Sequence, residues 1–193
     1  MSHEDPISRF SREYQLAGAT EEFEVSRCAL ATADSKGRPA VRFVLLKGFD
    51  EHGFVFFTNL ESPKARDLAA NPHAELAFQW HTTGIQVRVR GPVTRVSDDE
   101  SDAYFATRDR GSQLGAWASR QSRVLESREA LESAVIETSK RFREVSVDRP
   151  PFWGGYRIAP LAIEFWENRD DRLHDRWLYE REGGAWSVTQ RYP

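Results

Sequence analysis

An α+β fold built on a closed antiparallel barrel is what this sequence predicts, on three observations. Apolar runs at Arg27 to Ala33, Ala40 to Lys47 and Gly53 to Thr58 are separated only by Asp34-Ser-Lys-Gly37 and Asp50-Glu-His-Gly53, both strong turn chemistries. Gln86-Val-Arg-Val-Arg90 alternates with the period of two of a half-buried strand. Helical patterns fall between the strand runs, and an antiparallel sheet that closes on itself leaves no exposed edges.

The elements follow in order. Ile7, Phe10, Tyr14 and Ala17 stand at helical spacing over residues 6–17 and predict a short amphipathic helix. The three-strand meander comes next. Ser62-Pro63 opens a helix through Ala70, with serine positioned to cap and proline in the first turn, and Asn71-Pro72 ends it. Ala74 to Trp80 and Ile85 to Val96 read as strands. Ser97-Asp-Asp-Glu100 is a capping box that opens a helix carrying Tyr104 and Arg108, four residues apart and so on one face. Ser127 to Arg143 reads as a longer helix with Leu131, Val135 and Phe142 on its buried stripe. Trp153 to Arg157, Ala162 to Trp166, Arg172 to Tyr179 and Ala185 to Arg191 complete the sheet, the last two joined across Glu182-Gly183-Gly184. Residues 1–26 form an N-terminal helical segment, and 27–193 a single domain.

Composition narrows the function. A chain of 193 residues suits one domain of ordinary size. A formal charge of −3 argues against general nucleic-acid binding, so any basic cluster is local and suits a small anion. The single cysteine, Cys28, rules out an intramolecular disulfide, and the paired Cys/His spacings of a zinc site are missing, so no metal is expected. No apolar segment marks a signal peptide or a membrane span, which leaves a soluble cytoplasmic protein as the expectation.

The segment Trp166-Glu-Asn-Arg-Asp-Asp-Arg172-Leu-His174-Asp-Arg176 carries the sharpest chemical signal. If Arg172 to Arg176 is extended, Arg172, His174 and Arg176 share a face. Guanidinium groups grip phosphate bidentately and stack on rings, and imidazole donates a hydrogen bond or moves a proton, so such a face fits a planar anion. On spacing alone, the same charges also read as a solvated edge strand paired with Glu167, Asp170 and Asp175.

This segment resembles the C-terminal signature W-x5-R-L-H-D-R of the pyridoxamine 5'-phosphate oxidase family. R-F-V-L-L-K at Arg42 to Lys47, Phe57-Thr58, Gln86-Val87, Y-F-A-T-R-D-R-G-S at Tyr104 to Ser112, G-A-W-A-S at Gly115 to Ser119, Gln121-Ser122 and W-G-G-Y-R at Trp153 to Arg157 resemble its other blocks, in order and at its spacing. The likeness runs from about Ala29 to Pro193. It implies the FMN-binding split barrel with flanking helices, assembled as a homodimer with FMN at the interface.

By that resemblance Arg42, Phe43, Val44, Leu45, Leu46, Lys47, Phe57, Thr58, Lys64, Gln86, Gln121, Ser122, Trp166 and Arg176 contact FMN. Lys47, Tyr104, Arg108 and Ser112 hold the substrate phosphate. Arg172 and His174 orient the pyridine ring against the flavin and are catalytic in that limited sense. Glu24 falls where the family often has an acid, in surroundings that depart from the pattern. Pro63 stands where the family commonly has arginine. One phosphate-binding guanidinium is therefore missing unless Arg66 or another cation replaces it, and FMN is expected to be lost more easily. The implied reaction converts pyridoxamine or pyridoxine 5'-phosphate to pyridoxal 5'-phosphate, with dioxygen as acceptor and hydrogen peroxide as product. The alternatives are a phenazine-biosynthesis type of flavin oxidase, a non-catalytic flavin or pyridoxal-phosphate carrier, and a heme-binding member of the same barrel group.

Overall fold

Short polar side chains set the element boundaries in a computed structural model that describes residues 4–21 and 23–193. Residues 1–3 and Glu22 of the expected N-terminal segment lie outside the described residues. Asp5 caps helix α1 (Pro6–Thr20) by accepting from the Ile7 and Ser8 amides at 2.9 and 3.0 Å. Strands β1 (Arg27–Ala33) and β2 (Pro39–Leu45) are joined by a turn in which Asp34 accepts from the amides of Lys36 and Arg38. The three-residue β3 (Gly48–Asp50), which the sequence pattern did not reveal, pairs with β4 (Gly53–Asn59). Helix α2 (Pro63–Ala70) follows, then β5 (His73–Trp80) and β6 (Ile85–Arg95). Helices α3 (Asp98–Thr107), α4 (Arg110–Ala118) and α5 (Arg128–Arg141) are capped by Ser97, Asp109 and Ser127. Strands β7 (Trp153–Ile158), β8 (Ala162–Glu167), β9 (Asp175–Glu182) and β10 (Ala185–Arg191) end the chain.

All pairings are antiparallel, in the order β10-β9-β8-β6-β5-β1-β2, with β7, β4 and β3 branching from β6. The fork comes at Gly91-Pro92. One edge of β6 pairs with β8 through Ile85–Arg90 and with β7 through Val93–Arg95. At Gly91 a Cβ would sit 1.8 Å from the Ala159 carbonyl oxygen, so only glycine lets the two branches part this closely.

The expected closure of the barrel is corrected. No ladder joins β2 to β4. One backbone bond, Lys47 N–H to the Val55 carbonyl at 2.8 Å, spans that gap, and β2 and β10 remain edges of a curled half-barrel. The main core fills its hollow: Phe10 of α1 meets Phe49, Phe54 and Phe78 at ring separations of 4.8, 4.8 and 5.1 Å. A second cluster, Phe105, Leu114, Phe142, Val147 and Trp153, lies under α3 and α4.

Four local expectations also change. Ser62 makes no side-chain cap; its hydroxyl instead accepts from Lys64 Nζ at 3.3 Å. Arg108 lies one residue past α3 in extended backbone (φ −72°, ψ 148°), so it shares no helical face with Tyr104. The stripe of α5 is not buried: no residue within the helix is, and only its C-cap Phe142 enters the core. The strand expected from Arg172 begins at Asp175, because Asp170–Arg172 form a 3-10 turn in which Asp171 and Arg172 take φ of 54° and 62°. Left-handed backbone at Arg172 breaks the alternation that was to align Arg172, His174 and Arg176.

Candidate active site

A cleft of about 910 Å³ opens between β2, β4, the start of α2 and the α3–α4 corner. Arg42, Phe43, Val44, Leu45, Lys47, Phe57, Thr58, Lys64, Tyr104, Arg108, Ser112, Gln121 and Ser122, all named from the sequence, line it. Their convergence needs β2 beside β1, β4 beside β7 and both capped corners. The side chain of Leu46 turns instead into the core.

One part of the cleft is a cation pair. Lys64 is 7% exposed, and its ammonium donates to Thr58 Oγ1 at 3.1 Å, Gln121 Oε1 at 3.0 Å and Ser62 Oγ, all neutral oxygens. Burial, and then the charge of Arg42, push the Lys64 amine down to about 8. Arg42 donates to Thr32 Oγ1 at 2.6 Å and to the Leu30 carbonyl, with Asp67 at 3.6 Å. A nearly buried ammonium with no carboxylate of its own, beside a guanidinium, is a site short of an anion. Arg66 adds nothing here, because it turns to the Glu61 carbonyl.

A second part holds Arg108. Its guanidinium lies 4.9 Å over the Trp153 ring and its Nη1 is buried without a hydrogen-bond partner. Burial lowers its proton affinity. Phe57 stacks on Tyr104 at 4.2 Å and on Trp153 at 5.2 Å, a flat aromatic wall beside that cation. Trp153, first in the W-G-G-Y-R block and not among the site residues expected from the sequence, also lines the cleft. The missed helix α4 brings Ser112, Gly115 and Ala116 to the cleft, and the Asp109 carboxylate accepting from the Ser112 amide at 2.8 Å is its start signal.

Gln86, Trp166, Arg172, His174 and Arg176 do not reach this cleft. Gln86 pairs across the sheet with Trp166, and Trp166 with Arg176. The His174 ring lies 4.3 Å from that of Trp166. Arg176 donates to both oxygens of Glu164, the last link in a row of cross-strand ion pairs from Glu75 through Arg88. From β2 to β9 there are five strand spacings, roughly 24 Å along the sheet. A groove with Phe43, Glu24 and Gln86 among its walls lies on the sheet between them. One chain thus carries two separate chemical patches.

Among the described residues, no cluster of acidic, histidine or cysteine side chains could hold a metal ion, and no helix is long and apolar enough to cross a membrane.

Comparison with known proteins accounts for nearly the whole chain. A family model described as pyridoxamine 5'-phosphate oxidase matches residues 17–142, and one described as the pyridoxine 5'-phosphate oxidase C-terminal dimerisation region matches residues 153–193. The pyridoxine/pyridoxamine 5'-phosphate oxidase of Rubrobacter xylanophilus is 54% identical over 189 residues, 98% of this chain and 87% of the relative. That of Paraburkholderia phymatum is 53% identical over 190 residues, covering 98% and 89%. Among solved structures, PhzG from Burkholderia lata 383, in complex with tetrahydrophenazine-1-carboxylic acid, superposes with a TM-score of 0.93 at 34% identity, covering 99% of this chain and 94% of that one. A pyridoxamine 5'-phosphate oxidase-related, FMN-binding protein from Nostoc punctiforme shares the fold, with a TM-score of 0.78 at 21% identity over the whole of both chains. The two matched regions together span the cleft and the C-terminal patch, and this chain belongs to the pyridoxamine 5'-phosphate oxidase family.

Proposed function

We propose that the chain is an FMN-dependent oxidase that converts pyridoxamine or pyridoxine 5'-phosphate to pyridoxal 5'-phosphate, and that two copies together build each active site. One observation carries the reading. The cleft holds two cationic groups that lack anions, Lys64 beside Arg42 and the unpaired Nη1 of Arg108, flanked by a flat aromatic wall. Such a cleft fits two phosphates and a stack of planar rings.

The residues fit FMN. Lys64, Arg42, Thr58, Gln121 and Ser122 would hold its phosphate, with Phe43, Val44, Leu45 and Phe57 along its rings. FMN bound there supplies a two-electron acceptor that dioxygen regenerates with release of hydrogen peroxide. Arg108, Lys47, Tyr104 and Ser112 grip the substrate phosphate, the guanidinium bidentately and the hydroxyls at the remaining oxygens. That grip fixes the donor carbon and excludes water from one side of the ring, so most of the rate enhancement comes from positioning. With the amine substrate, water is consumed and ammonia leaves; with the alcohol, neither is involved.

His174 and Arg172 hold the pyridine ring. His174 Nδ1 accepts from the Arg169 amide at 3.2 Å, so in the neutral ring the proton sits on Nε2, ready to donate to a polar edge of the substrate. The sheet keeps these two residues away from their own cleft, and a symmetric dimer would supply them from the other copy, together with Gln86, Trp166 and Arg176. The match of residues 153–193 to a dimerisation region supports this arrangement, as do Val41 and Phe43, 66% and 74% exposed on edge strand β2.

Aerobic incubation of the FMN-reconstituted protein with pyridoxamine 5'-phosphate tests the reading. Equal amounts of pyridoxal 5'-phosphate and peroxide are expected. Bound FMN with neither product would sink the substrate assignment and leave a phenazine-type oxidase or a carrier.

A further inference from the structure

We infer that Arg169, one of the five unspecified positions in W-x5-R-L-H-D-R, is a positioning residue that sets the orientation of His174; this rests on the role given to His174 above. Residues 168–174 form the loop from β8 to β9, and its base is the register pair Glu167–Asp175. Arg169 spans that base. Its Nε donates to Asp175 Oδ2 at 2.7 Å and its Nη2 to Glu167 Oε2 at 3.0 Å. From the same residue the backbone N–H donates to His174 Nδ1 at 3.2 Å. One residue thus ties both ends of the loop and the imidazole inside it.

The clamp is needed because the loop is strained. Asp171 and Arg172 stand in succession at φ of 54° and 62°, a conformation that residues with a Cβ adopt only when their surroundings hold them there. This tight return brings the His174 ring back to Arg169 and against Trp166. The far end of the clamp is rooted in the core. The other oxygen of Glu167 accepts from Arg9, a buried arginine of α1 whose guanidinium lies 4.3 Å over the Phe165 ring. A planar fork suits this span because its nitrogens diverge toward two carboxylates, where a lysine ammonium offers a single point.

The test measures kcat, KM for pyridoxamine 5'-phosphate and FMN affinity in Arg169→Ala, His174→Ala and the double variant, each reconstituted with FMN. Arg169→Ala is expected to lower kcat/KM about 5- to 10-fold, the range of a partly exposed ion-pair network, with FMN affinity unchanged within about twofold. On the His174→Ala background the same substitution should cost no more than about twofold, because its target is gone. Equal losses on both backgrounds, or a parallel loss of FMN, would overturn the inference while leaving His174 in place. Unaltered turnover in His174→Ala would overturn both the inference and the role assigned to His174.

Discussion

Lys64 is the residue at which the proposed phosphate contact is most directly measurable. Its amine is held near 8 by burial and by Arg42, below the ordinary 10.5 of a lysine. A phosphate placed beside it favours the ammonium, so FMN binding above about pH 8 must take up a proton, and affinity should fall as pH rises from about 8 toward 10. The unliganded fold behaves in the opposite sense. Across that window the unfolded chain binds more protons, so the unliganded protein gains stability as pH rises. Titration calorimetry of FMN at about pH 8.5 in buffers of different ionisation enthalpy should reveal the uptake; a buffer-independent heat would contradict it. The pKa cause and the partners were not readable from the sequence. Lys64 itself was, through the resemblance, and so was the Pro63 departure, which Arg66 does not offset.

At the scale of elements, the strand boundaries were legible where turn chemistry is local. Asp34, Asp50 and the pair Gly183–Gly184, at φ of 57° and 90°, set the turns expected of them, and β1 and β10 have the limits read from the sequence. The remainder depended on long-range packing. Nothing in Arg172-Leu-His174 signals a left-handed turn, because the ion pairs from Arg169 to Glu167 and Asp175 that close the loop form only when β8 and β9 lie side by side. The apolar spacing of α5 is real, but Val135 and Ile136 stay exposed within one chain. Gly155 in the W-G-G-Y-R block shows how an element shapes the cleft. It lies opposite Phe57 in the β4–β7 ladder, and a Cβ there would meet Phe57 Cε1 and Val96 Cγ2, each at 2.7 Å. Gly155→Ala should therefore displace Phe57 from its stack on Tyr104, lower stability by roughly 1–3 kcal/mol and raise KM for the phosphorylated substrate. Thermal unfolding and steady-state kinetics check both effects, and an unchanged melting temperature with native KM would show that the ring has room to move.

At the scale of the whole molecule, the sheet decides the chemistry by keeping two patches apart. β2 and β4 carry the cleft and the loop between β8 and β9 carries the imidazole; β1, β5 and β6 lie between β2 and β8, and β7 and β6 between β4 and β8. The residue types of both patches were legible in the sequence. Their separation was not, because it follows from the order of strands in the sheet. If each site is shared, a lesion in the cleft and a lesion in the loop should complement when carried on different copies. Arg108→Ala and His174→Ala variants, each impaired alone, would be mixed, allowed to exchange subunits and assayed, with mixed dimers verified by native mass spectrometry. Random reassociation makes half the dimers mixed, each with one intact site of two, so about a quarter of native turnover should return. Mixed dimers no more active than the parent variants would contradict the shared site.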